Sequence, residues 1–116
     1  MSSSVLAMKD ERLNRELLQL DPKTRIEQTC DAEVMFQIHR NQMPDVDKVI
    51  AYTFGDPIFG ENSVAAPGAV FRSRGRWYHL SYTCQTGPKH LDAHSLRYEI
   101  GPMIPRAEWG KYFLYD

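Results

Sequence analysis

A chain of 116 residues, 42% apolar and 25% charged, sits at the commonest domain size and has the composition of a folded globular protein rather than a disordered one. Its 14 Lys and Arg against 15 Asp and Glu give a formal net charge of −1, which excludes a global field drawing it to nucleic acid or anionic lipid. The longest apolar runs, such as VIAYTF, fall far short of the roughly 20 residues a membrane helix needs, so the chain encodes no transmembrane segment.

The N-terminal MSSSVLAMKDERLNRELLQL has neither the basic n-region nor the continuous apolar h-region of a secretory signal. Met1 and the three serines after it read as the start of an excerpted fragment, which would put any export signal or membrane anchor upstream. Leu6, Leu13, Leu17 and Leu20 recur at helical spacing, with Glu11/Arg15 and Arg12/Glu16 as supporting pairs. An amphipathic helix is expected over residues 4–20.

Asp21-Pro22 is a restart signal: Asp can cap the free amides while Pro fits the first helical turn. The second helix is expected to run to about Arg40, because Ile26, Cys30, Val34 and Ile38 recur every four residues and Met35 widens the stripe. Pro44 then forces a turn. KVIAYTFG is short and rich in β-branched and aromatic residues, as a strand should be. GDPIFGENSVAAPG, with three Gly and two Pro, reads as a long connection and a candidate flap.

In FRSRGRWYHLSYTCQTG, Arg74-Gly75 suits a two-residue hairpin turn with Gly at positive φ. Pairing outward sets Ser73 against Arg76, Phe71 against Tyr78 and Ala69 against Leu80. Tyr78, Leu80, Tyr82 and Cys84 then share one face with Phe71 and Ala69, while Trp77, His79, Ser81 and Thr83 take the other. GPKHLDAH is a loop, and SLRYEIG is a further strand turning Leu96, Tyr98 and Ile100 inward. IPRAEWGKYFLYD places Pro at a plausible first helical position and offers one short helix or turn with an aromatic tail.

Cys30 and Cys84 thus both lie on core-facing positions. Two unrelated buried thiols are one outcome, since free cysteine is often buried. A bridge is the other. It would staple helix to sheet, contribute about 4 kcal/mol by chain-closure entropy, and imply an oxidising compartment. No CxxC spacing marks the pair as redox-active.

The chemical candidates are weaker. HLDAH has two histidines four apart, but in a strand these stand about 13 Å apart, whereas each zinc ligand must come within about 2 Å of the metal. Only a helical or tightly curled loop would rescue a metal site. His39, His79, Cys84 and assorted serines follow no catalytic spacing, and Asp45, Asp47, Asp56 and Glu61 form no calcium loop. Neither GxxxxGK[ST] nor GxGxxG occurs. The better binding candidate is the hairpin, where Arg72, Arg74 and Arg76 with Trp77 and His79 would present guanidinium groups and rings to a phosphate, a sugar or an acidic partner. The alternative is an ordinary polar ribbon whose Trp covers the reverse side of the sheet.

TRIEQTCDAEVMFQIHR, DKVIAYTFGDPIFGENSVAAPGAVFRSRGRWYHLSYTCQT and IPRAEW together resemble domain of unknown function 930, a bacterial family found chiefly in alphaproteobacteria. The likeness runs from about Leu13 to Trp109 and rests on the combination of RIEQ-C, VIAY, AVFRS-WY-L and IPRAEW. It implies a cell-envelope setting, periplasmic or anchored facing the periplasm, with the domain following a variable linker. It also matches Cys30 and Cys84 to the family's characteristic pair. It supplies no catalytic residue, cofactor or metal, and none is assigned.

The expectation is therefore an α+β fold of one domain, 1–116, in which 1–20 is a leading helix or stalk and 21–116 a compact core. Two N-terminal helices pack on a four-stranded antiparallel meander, with a helix-to-sheet disulfide and a short C-terminal helix or turn. The expected role is non-enzymatic: binding an envelope protein or polymer through the hairpin and flap. A small hydrolase with its site between the 55–68 loop and the outward sheet face is the alternative, and nucleic-acid binding through the arginines is not expected.

Overall fold

The protein is described by a computed structural model over residues 20–116. The expected leading helix at 4–20 lies almost wholly outside that range. Helix α1 spans Pro22–Asn41, and its start is set as the sequence requires. The extended Asp21 caps it, one carboxylate oxygen accepting the Thr24 amide at 3.1 Å and the other its hydroxyl at 2.6 Å, with Pro22 opening the first turn. It ends ahead of Pro44, where Asp45 turns the chain at φ 57°. Ile26, Cys30, Val34 and Ile38 are buried along one stripe, with Thr29 and Glu33 beside them.

The sheet comprises β1 (Val46–Ile50), β2 (Ile58–Phe59), β3 (Ser63–Ser73), β4 (Arg76–Thr86) and β5 (Ala93–Met103). All pairings are antiparallel in the order β1-β3-β4-β5, and the two-residue β2 lies along the same side of β3 as β1. The expected four-stranded meander is thus a five-stranded sheet whose first strand is broken: the chain leaves the ladder after Ile50 and rejoins it at Ile58. The central hairpin has the expected register, with Ser73 opposite Arg76, Phe71 opposite Tyr78 and Ala69 opposite Leu80. Its turn puts both central residues in the left-handed region, Arg74 at φ 51° and Gly75 at φ 74°, as a primed turn requires.

The long connection expected over GDPIFGENSVAAPG is corrected. Ser63–Gly68 belongs to β3, and a turn at Gly60–Asn62 is all that separates it from β2. The Pro and Gly that suggest a break are absorbed by a bulge between Ala66 and Ala69. There exposed Pro67 needs no ladder amide. Gly68 lies against the Phe54–Gly55 peptide, so closely that a Cβ would run into the Gly55 nitrogen, and its carbonyl accepts the Phe54 amide at 2.8 Å. The segment is pinned rather than free as a flap.

Two apolar layers sandwich the sheet. On one face α1 packs Ile26, Cys30, Val34 and Ile38 against Phe71, Leu80, Tyr82 and Cys84. Cys30 and Cys84 are bridged, with Cα atoms 6.1 Å apart and 54 residues between them in sequence. On the other face Val70 and Trp77 meet Ile104, Trp109 and Leu114. That second layer is carried by a 3-10 helix at Arg106–Tyr112, with Pro105 one place earlier than expected, as its cap. The Trp109 indole donates to the Ile104 carbonyl at 3.0 Å and the Trp77 indole to Tyr115 at 2.8 Å, which ties the C-terminal tail down at both ends.

Candidate functional site

The five residues expected to form one platform on the hairpin are divided by the fold. Arg72 forms a two-point ion pair with Asp47 at 2.9 and 3.0 Å, donates to the Tyr115 carbonyl at 3.2 Å, and lies over the Trp77 ring. Its hydrogen bonds hold the Asp47 carboxyl below the usual range. Arg74 reaches Asp45 at 3.0 Å. Arg76 stands exposed at the hairpin end, with no side-chain bond among the described residues. Trp77, expected on an open outward face, is 2% exposed because the C-terminal tail folds over it. His79 is half-buried, its ring 4.6 Å from that of Phe54, which in turn meets Tyr112 at 4.3 Å. The guanidinium groups of Arg72 and Arg74 are thus engaged within the chain. Their partners lie 25 and 29 residues upstream, Asp47 on β1 and Asp45 in the turn just before it, beyond the reach of a local pattern.

Past Trp77 the same face of the sheet is left uncovered by the described residues. Ser81 and Thr83 of β4, Arg97 and Glu99 of β5, and Pro67 and Ile58 border a shallow depression of about 490 Å³. It continues past Pro67 and Ser81 into a second, of about 510 Å³, beside His79 and Phe54. This trough lies where the 55–68 segment meets the outward sheet face. Its floor sets two hydroxyls, Thr83 and Ser81, opposite one cation and one anion, Arg97 and Glu99. No hydroxyl in it is bonded to an imidazole or a carboxylate among the described residues, so the arrangement offers recognition by hydrogen bonds and charge rather than an activated nucleophile.

The histidines of HLDAH are separated by their partners. The loop is curled, with His90 at φ 61°, yet the buried His90 ring lies against Asn62 Oδ1 at 2.9 Å, the Glu61 carbonyl at 3.1 Å and Arg25 at 3.3 Å. Since arginine can only donate, His90 Nδ1 accepts and Nε2 carries the hydrogen. His94 instead meets Asp92 at 2.6 Å on the surface. Among the described residues no three potential metal-ligating side chains converge.

One polar pair is not evident in the sequence. The Tyr82 hydroxyl donates to Asp31 Oδ1 at 2.6 Å across the helix-sheet interface. Burial pushes the Asp31 carboxyl up to about 7; the Tyr82 hydrogen bond opposes that shift and the Glu27 charge one turn earlier adds to it. Burial likewise raises the Glu27 carboxyl and the Tyr82 phenol. The available signal is an acidic pair four apart, Glu27 and Asp31, directly beside core positions Ile26 and Cys30.

A family model described as Domain of Unknown Function (DUF930) matches residues 17–114. No curated protein and no solved structure matches the chain.

Proposed function

The chain belongs to the DUF930 family, and on that premise we propose that it is a non-enzymatic binding module of an oxidising compartment, the bacterial cell envelope, facing the periplasm. The observation behind this reading is the Cys30–Cys84 bridge between α1 and β4, a bond that reducing cytosol would not maintain. The contact surface is the trough beside Ser81, Thr83, Arg97 and Glu99, in place of the hairpin arginines that Asp45 and Asp47 engage. Its shallow, mixed-charge floor suits an extended segment of an envelope protein better than a small molecule, which calls for a deep apolar cavity. Hydrolysis at the same place has no comparable observation behind it.

A photoreactive residue placed at Thr83, in cells that natively make the protein, tests this reading. A discrete protein adduct from Thr83, absent when the probe sits at exposed Lys89, is the expected result. A carbohydrate adduct would shift the ligand to an envelope polymer. Thiols found reduced in intact cells would overturn the compartment, and an unselective pattern of adducts would overturn the surface.

A further inference from the structure

We propose that β5 is a self-pairing edge, through which two copies of the chain join in one continuous antiparallel sheet. β5 is the last strand of the sheet, bonded to β4 on one side, and among the described residues no strand pairs with its other side. An edge of this kind presents a row of unpaired amides and carbonyls that another strand can satisfy. The ladder to β4 is regular from Ser95 to Ile100, then shifts at Gly101-Pro102 before Met103 pairs with Tyr78, and Pro102 has no amide to offer a neighbouring strand. The available edge is therefore short and centred near Arg97-Tyr98.

Its side chains select one register. A two-fold axis normal to the sheet keeps each face on its own side, so a residue can face only residues an even number of positions away. With the axis through Tyr98, Arg97 of each copy faces Glu99 of the other, Leu96 faces Ile100, and Tyr98 faces Tyr98. With the axis moved one residue either way, Arg97 faces Arg97 or Glu99 faces Glu99, and like charges directly opposite each other disfavour the pairing.

Within the chain Arg97 and Glu99 face the neutral Thr83 and Ser81, and neither forms an ion pair among the described residues. On the helix side Leu96, Tyr98 and Ile100 pack against the core while remaining half-buried, so the same register matches apolar with apolar. Complementarity on both faces, in a single register, is what an isologous contact requires. The pairing does not depend on what fills the trough. It sets the two troughs side by side across the axis.

Sedimentation velocity over a concentration series up to about 1 mM, well above the Kd of a specific weak dimer, decides the matter. The wild-type chain should dimerise. Arg97→Glu and Glu99→Arg should each weaken dimerisation tenfold or more, because each places two pairs of like charges in register, on the order of the cross-strand effect doubled by symmetry. The double variant R97E/E99R should recover it, and an equimolar mixture of the two single variants should form heterodimers. Both positions are exposed, so far-UV circular dichroism should match wild type throughout. A wild-type chain monomeric across the series, or a dimer indifferent to both reversals, would overturn the proposal.

Discussion

The two faces of one sheet are covered in different ways. On one, a 20-residue helix with a four-residue apolar repeat is joined to the central strand by a covalent bond. On the other, a seven-residue 3-10 helix and the tail after it are held by two indole hydrogen bonds, an arginine and buried rings. The first cover must separate from the sheet with the loop still closed. The second can lift from the chain end without unfolding the rest. Among the described residues the second cover reaches only part of the outward face, and the trough begins where the tail stops.

The largest effect that would break this asymmetry is removal of the bridge. Replacing both Cys30 and Cys84 by Ser should cost about 4 kcal/mol by loop-closure entropy, read from urea unfolding, and reductant should lower the wild-type chain to the same level. Next is Trp109→Ala, which should cost roughly 3 kcal/mol by emptying the centre of the second layer. Hydrogen exchange should speed up more in the tail and at Trp77 than in α1. Equal acceleration on both faces would abolish the distinction.

A pH series sharpens the helix side. Asp31 ionises near 3.8 when unfolded but at about 7 in the fold. The folded chain therefore binds more protons between those values, and stability falls as pH rises through that window, levelling off above about 7. Asp31→Asn keeps an acceptor for the Tyr82 hydroxyl and removes the Asp31 share of the slope, leaving the smaller one from Glu27. Its stability relative to wild type should improve by roughly 4 kcal/mol between about pH 4 and about pH 8, measured by denaturant unfolding. The smallest effect separates the two hairpin arginines. Arg72→Ala should cost roughly 1 kcal/mol, because it loses the Asp47 pair, the Tyr115 carbonyl and the Trp77 ring together. Arg74→Ala, with its side chain 68% exposed, should change the melting temperature little.

What could be read in the sequence was local. Asp21-Pro22, the four-residue repeat through Ile38, and Arg74-Gly75 each act within a few residues, and the core-facing placement of Cys30 and Cys84 followed from helix and strand period alone. Pro67-Gly68 misled because a break signal and a bulge use the same residues; the difference lies in Phe54 and Gly55, which approach from another part of the chain. The site was less legible for a related reason. Whether Arg72 is free depends on Asp47, and whether Trp77 is open depends on Tyr115, contacts 25 and 38 residues distant. The open part of the sheet face follows from where the tail ends, which no periodicity encodes.

The bond between α1 and the middle of β4 also orders the chain's birth. Cys30 emerges long before Cys84, and the two can meet only once the first strand of the central hairpin has been made and the second is nearly complete. Until then the early thiol waits, open to any oxidase or neighbouring nascent chain. With two cysteines in all, no wrong intramolecular pairing exists, so the hazard during synthesis is adduct formation between chains rather than scrambling within one.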